Sequence, residues 1–170
     1  MNVVLVNPEI PQNTGNIGRL CVATGSTLHL VGELGFSLDD YYVRRAGIDH
    51  WEQVRLIQHA SYERFLERAH EARGDAQVWY CSTHGERLYT DVAFDVGDFL
   101  VFGCESTGLP GFICERAQKA ERLLRIPVLP SVRSLNLANA VAIVLYEAFR
   151  KLSWRFPDDD STGHGLTRTT

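Results

Sequence analysis

The chain has little that would let it work through metals, disulfides or a membrane. Its four cysteines, Cys21, Cys81, Cys104 and Cys114, form no CxxC pair and match none of the spacings of zinc sites or disulfide frameworks. They read as reduced thiols of a cytoplasmic protein, and no metal is expected. No apolar stretch is long enough to span a bilayer, so no membrane association is expected either. The opening Met1-Asn-Val-Val-Leu-Val-Asn7 is apolar over only four residues and lacks a basic run, which suits a buried strand and not a secretory leader. A strand–GxGxxG–helix unit is missing, which disfavours a dinucleotide-dependent oxidoreductase.

Basic excess is missing too. The formal net charge is −4, a poor balance for a protein that must hold phosphates. Two details offset it. Of 17 basic residues only Lys119 and Lys151 are lysine, and arginine is the side chain suited to bidentate phosphate contacts. Three of the acids, Asp158, Asp159 and Asp160, fall in an aperiodic polar tail.

What is present is a chain of 170 residues, 45% hydrophobic, which fits one domain (1–156) followed by that tail (157–170). Short apolar runs at Val3 to Val6, Leu28 to Val31, Val54 to Ile57, Val78 to Cys81, Phe99 to Phe102 and Leu123 to Ile126 predict strands. Helical patterns lie between most of them, at Asn16 to Thr24, Leu38 to Ala46, Tyr62 to Arg73 and Pro110 to Lys119; Gly25, Gly47 and Gly74 close the first three. Alternation of this kind implies an α/β fold, a mostly parallel sheet with helices on both faces. A last helix, Asn136 to Leu152, is apolar on nearly every side from Leu137 to Leu145. One small sheet covers only one side of it, so a homodimer is expected.

Three strand-to-helix loops carry the polar residues. The first, Asn7-Pro-Glu-Ile-Pro-Gln-Asn-Thr-Gly-Asn-Ile-Gly-Arg19, has Asn13 or Thr14 as a natural cap for a helix starting near Asn16. Arg19 would then sit in a first helical turn, opposing the macrodipole by roughly 0.3–1 kcal/mol and calling for an anion or a salt bridge to Glu9. The second, Leu100-Val-Phe-Gly-Cys-Glu-Ser-Thr-Gly-Leu-Pro110, puts Glu105 at the exit of a strand, where it either meets a ligand or caps the helix after Pro110. The third, Ile126 to Asn139, offers Ser134 or Asn136 as an N-cap and carries Arg133 beside them. If the strands are parallel, all three loops converge on one sheet edge. The resulting cleft suits a nucleoside-like ligand and a phosphate-bearing substrate.

These same segments carry a resemblance. Residues 7 to 19, Gly103-Cys-Glu-Ser-Thr-Gly-Leu-Pro110, and Arg133-Ser-Leu-Asn-Leu-Ala-Asn139 followed by Tyr146-Glu are similar to the three motifs of the SPOUT class of RNA methyltransferases in its TrmL (YibK-like) form. Leu34-Gly-Phe and Arg44-Arg-Ala-Gly-Ile-Asp49 resemble the family's linking segment, and the likeness runs in order from about residue 2 to 152. It implies a C-terminal trefoil knot holding bent S-adenosylmethionine, a homodimeric active site, and 2′-O-methylation of the wobble ribose in the tRNA anticodon loop. Cofactor contacts would fall at Cys81, Gly103, Ile126, Ser134, Leu135 and Asn136. Arg19, Glu105, Arg133, Asn136 and Tyr146 become the candidates for substrate handling, catalysis or dimer support. This chain departs from the pattern at Cys104, where Gly-Pro-Glu is common, and in Pro-Ser-Val-Arg-Ser134, where a Ser often precedes the Arg; both bear on loop geometry. A ribosomal RNA ribose methyltransferase of the same class and a non-catalytic RNA-binding module remain the alternatives.

Overall fold

The structure, a computed structural model, describes residues 1–38, 48–72 and 76–155. Seven strands form one sheet, β1 (Asn2–Val6), β2 (Thr27–Val31), β3 (Leu56–His59), β4 (Val78–Cys81), β5 (Arg87–Leu88), β6 (Phe99–Phe102) and β7 (Leu123–Arg125), in the order β3-β2-β1-β6-β4-β7-β5. Every strand pair is parallel. Among the described residues the sheet is accompanied by helices α1 (Pro11–Ala23), α2 (Tyr62–Ala72), α3 (Gly111–Lys119) and α4 (Leu137–Lys151).

The period of two along β1 explains why both faces need covering. Val3 and Leu5 point into a core shared with Ile17 and Cys21 of α1 and with Val141, Val144, Leu145 and Phe149 of α4. Val4 and Val6 point into a second core with Phe65 of α2 and Ile113 of α3. A strand apolar on both sides is therefore central by necessity. Thr24 ends α1 and Gly25 follows at φ 61, the left-handed stop that its position suggested.

Several expected boundaries shift. The first helix begins at Pro11 with Ile10 as its N-cap, five residues before Asn16, because proline at the first helical position is preset for the turn. Asn13 and Thr14 therefore lie inside the helix, buried, and cap nothing. Arg19 is eight residues past Pro11, in the third turn, where the macrodipole objection no longer applies. The third strand is Leu56–His59, and β5, two residues long, is too short to show a period. The helix expected at Leu38 to Ala46, nearly all of it, and the tail 157–170 lie outside the described residues.

On α4 the apolar pattern is not fully covered. Val141, Val144, Leu145, Ala148 and Phe149 are buried, whereas Ile143 is 36% and Tyr146 42% exposed. One chain thus buries most of the helix and leaves a stripe open. No helix among the described residues is long and apolar enough to cross a membrane.

Candidate functional site

In a parallel sheet all carboxyl ends share one edge, and β1 has its neighbours β2 and β6 on opposite sides, the place where an open α/β sheet leaves a crevice. A cavity of about 720 Å³ opens at that edge, beside the end of β1 and over the ends of β6, β4 and β7, within the roughly 300–1,000 Å³ usual for small-molecule sites. Cys81, Gly103, Ile126, Ser134, Leu135 and Asn136 all line it, as do Glu105 and Arg133. Arg19 and Tyr146 do not. Arg19 is exposed and has no ion pair among the described residues; Glu9, once its expected partner, bonds elsewhere. Tyr146 is two and a half turns beyond Leu137 on α4 and rests edge-on against Trp154, with ring centroids 6.0 Å apart.

Glu105 lines the cavity and does not cap the helix after Pro110. Its Oε2 accepts from Glu9 N at 2.8 Å, and its Oε1 accepts from Ile10 N at 3.3 Å and Asn13 Nδ2 at 2.8 Å. The carboxylate caps α1, a helix whose own N-cap offers no side-chain bond and whose first turn holds no acid. A negative group at that end satisfies orphan N–H groups and the dipole together.

Asn13 then passes the connection on. Its Oδ1 accepts from Asn136 Nδ2 at 2.9 Å, while Asn136 Oδ1 caps α4 by accepting from Ala138 N at 2.9 Å and Asn139 N at 3.3 Å. One hydrogen-bonded line, Glu105–Asn13–Asn136, ties together the loops that follow β6, β1 and β7. The N-cap choice left open between Ser134 and Asn136 falls to Asn136.

The loop after β6 closes on itself. Cys104 and Gly108 exchange backbone bonds of 3.2 and 3.0 Å, and a Cβ on Gly103 would stand 2.0 Å from the Gly108 carbonyl carbon. Gly103 is thus required by its own loop before any ligand arrives. Burial pushes the Cys104 thiol up, but Thr107 and Ser106 donors outweigh this and bring it below its usual range. Burial raises Cys81, at the end of β4.

Residues that the sequence reading passed over also face the cavity, notably Ser82, Thr83 and His84 after β4, and Ser106 and Thr107 after β6. No motif marks the β4 loop. Its one available signal was position, directly behind a buried strand. Among the described residues no group of three or more His, Cys, Asp or Glu is arranged to hold a metal.

The family model described as the SpoU rRNA methylase family matches residues 1–146. A tRNA (cytidine(34)-2′-O)-methyltransferase of Saccharophagus degradans is 45% identical over 153 residues, 90% of this chain and 96% of the relative. A solved structure concerned with 2′-OH methylation of C/U34 on tRNA aligns at TM-score 0.81 with 44% identity, covering 91% of this chain and 97% of that one. The AdoMet complex of the SpoU methyltransferase AviRb from Streptomyces viridochromogenes aligns at TM-score 0.77 with 27% identity, covering 91% of this chain and 59% of that one.

Proposed function

This chain belongs to the SpoU methylase family, and from that premise we propose that it methylates the ribose 2′-oxygen of the wobble nucleotide, cytidine or uridine 34, in tRNA. The observation that carries the reading is the 720 Å³ cavity braced by Glu105, Asn13 and Asn136, in a chain that matches a tRNA (cytidine(34)-2′-O)-methyltransferase over nearly its whole length. A ribosomal RNA substrate fits less well, since the rRNA methyltransferase of Sinorhizobium meliloti is 32% identical to this chain against 45% for the tRNA (cytidine(34)-2′-O)-methyltransferase of Saccharophagus degradans.

The cavity fits S-adenosylmethionine. Ile126, Leu135 and Leu137 give it an apolar wall, and Ser134, Asn136 and the backbone beside Gly103 provide polar groups for an adenosine and an amino-acid end. When bound, that cofactor supplies a methyl group already activated on a sulfonium. The residues proposed to hold it are Cys81, Gly103, Ile126, Ser134, Leu135 and Asn136.

The chain's own work is then alignment and charge. Glu105 has both oxygens engaged with α1, which suits a residue that fixes the loops and not one that takes a proton. Arg133 stands at the cavity and donates to Ser106 O at 2.5 Å. A guanidinium stays protonated in proteins, so its proposed task is to stabilise charge on the 2′-oxygen or to hold the adjacent phosphate. Asn136 keeps the Arg133 loop seated on α4.

Arg19 and Tyr146 enter through a second copy. The open α4 stripe of Ile143 and Tyr146 supports a homodimer, with Tyr146 at the contact and Arg19 of one protomer completing the site of its partner. The proposed domain is 1–156, working in the cytoplasm, with its C-terminal part threaded as the trefoil knot of the class.

The test is direct. Incubated with labelled S-adenosylmethionine and an anticodon stem-loop, the protein should place one 2′-O-methyl group at nucleotide 34, mapped by mass spectrometry. A stem-loop with 2′-deoxyribose at 34 should receive none. Methylation at another position, or on ribosomal RNA fragments alone, would overturn the reading.

A further inference from the structure

Glu9 lies outside the cavity, yet its carboxylate grips a residue that lines it. Ser106 N donates to Glu9 Oε2 at 3.0 Å and Ser106 Oγ donates to Glu9 Oε1 at 2.7 Å. On its other side, the Ser106 carbonyl accepts from Arg133 Nη2 at 2.5 Å. Ser106 is therefore bracketed, its N–H and hydroxyl held by an anion and its carbonyl by a cation. Glu9 is itself anchored through its main chain, because Glu9 N donates to Glu105 Oε2 at 2.8 Å. The two loops thus exchange carboxylates: Glu105 reaches from the second to the first, and Glu9 returns from the first to the second.

From this geometry we infer that Glu9 is a positioning residue for Arg133, acting through Ser106 to set where the guanidinium stands at the cavity. The inference rests on the reading of Arg133 as a substrate-handling group. Water competes for bonds this exposed, so their net contribution to folding is small. Orientation is more sensitive, since a misplacement near 1 Å costs a reaction on the order of 100-fold. Only an ionised carboxylate accepts from both Ser106 donors while donating nothing. The Ser106 bonds in turn hold Glu9 below the usual carboxylate range, the side-chain bond most of all.

Glu9→Gln keeps the size of the side chain and turns an N–H₂ group toward one Ser106 donor. Single-turnover methylation of the stem-loop should slow by roughly 10- to 100-fold, with S-adenosylhomocysteine affinity, KM for RNA and melting temperature little changed. Glu9→Asp should recover part of the rate, and Ser106→Ala, which removes one bond of the two, should cost less than Glu9→Gln. In an Arg133→Ala background Glu9→Gln should slow the reaction no further. Equal losses in both backgrounds, or full activity of Glu9→Gln, would overturn the inference. Failure of the wild-type protein to methylate the stem-loop would instead sink the reading beneath it. In that event the guanidinium NMR signal of Arg133 still decides the placement, by moving in Glu9→Gln if Glu9 positions it and staying put if not.

Discussion

Two polar networks differ in what surrounds them, one among the loops at the carboxyl ends of the strands and one that starts at the amino ends of β6 and β1 and runs across to His59 at the end of β3. At the carboxyl ends, Glu9, Glu105, Ser106, Arg133 and Asn136 make bonds that are mostly exposed. Near the amino ends, Asp98 is fully buried and accepts from Gln77 N at 2.6 Å, Trp79 Nε1 at 2.9 Å and Asp95 N at 3.0 Å. Beside it Asn2 Nδ2 donates to Gly97 O at 2.7 Å, which leaves Asn2 Oδ1 as acceptor for His29 Nε2 at 3.3 Å. His29 Nδ1 must then accept, and His59 Nε2 donates to it at 2.9 Å. Each tautomer follows from the last. A buried network with its roles fixed in this way holds the fold, while an open one of similar chemistry leaves its groups available to a ligand.

The sharpest way to break that contrast is Asp98→Ala. It strands Trp79 Nε1 and two backbone donors in the interior, and the expected loss is at least about 3 kcal/mol, from about 1–3 kcal/mol for each of the three unsatisfied groups. Thermal melting should fall by roughly 10 °C, while at low temperature the folded fraction still binds S-adenosylhomocysteine. Loss of cofactor binding in protein that remains folded would show that the two networks are not independent.

Arg133→Ala should do the reverse. The methylation rate should fall by about two to three orders of magnitude, equal to about 2.7–4 kcal/mol, with the melting temperature nearly unmoved. A large drop in melting temperature would assign Arg133 to the fold and erase the distinction.

Acid should act on the buried network. Burial, then His59 and Arg68, lower the His29 ring to about 4 from the ordinary 6.5, and burial followed by Arg68 lowers His59 as well. The unfolded chain therefore binds more protons between about pH 4 and 6.5, and stability is full above that window and lost as pH falls through it. The expected loss from His29 is on the order of 3 kcal/mol, from 1.36 kcal/mol per unit of pKa. Denaturant titrations at pH 7 and pH 4.5 check it, and His29→Gln should flatten the difference.

Asn136→Ala should cost a modest amount of stability, about 1 kcal/mol for a lost N-cap. It straddles the comparison, since it also cuts the bond to Asn13 at the cavity. Weaker cofactor binding alongside that modest destabilisation is the expected pairing, read by calorimetry and melting together.

The candidate cavity was legible in its loops after β1, β6 and β7, which announce themselves locally as polar residues directly behind a buried strand, and not in the loop after β4. The fold class was legible for the same reason, in alternating apolar runs. What joined the loops was not. Asn13 and Glu105 are 92 positions apart and Asn13 and Asn136 are 123 apart, and no local pattern encodes a bond at that range. Asn13 and Thr14 misled as cap residues because their side-chain chemistry suits either role; Pro11, preset for the first helical turn, was the better marker. Arg19 followed that error, since its supposed electrostatic conflict depended on the wrong start.

The register of β1 has a consequence in time. Asn2 pairs with Thr27 on one side but with Phe99 on the other, 97 positions later in the chain. At about 5–20 residues per second, a ribosome leaves roughly 4–14 s between the two partners. Through that interval Val3, Val4 and Leu5 sit on an edge with unpaired N–H and C=O groups, a template for any neighbouring nascent strand. The exposure of that edge is therefore set by the rate of elongation, and slower synthesis of the stretch between Val31 and Phe99 prolongs it.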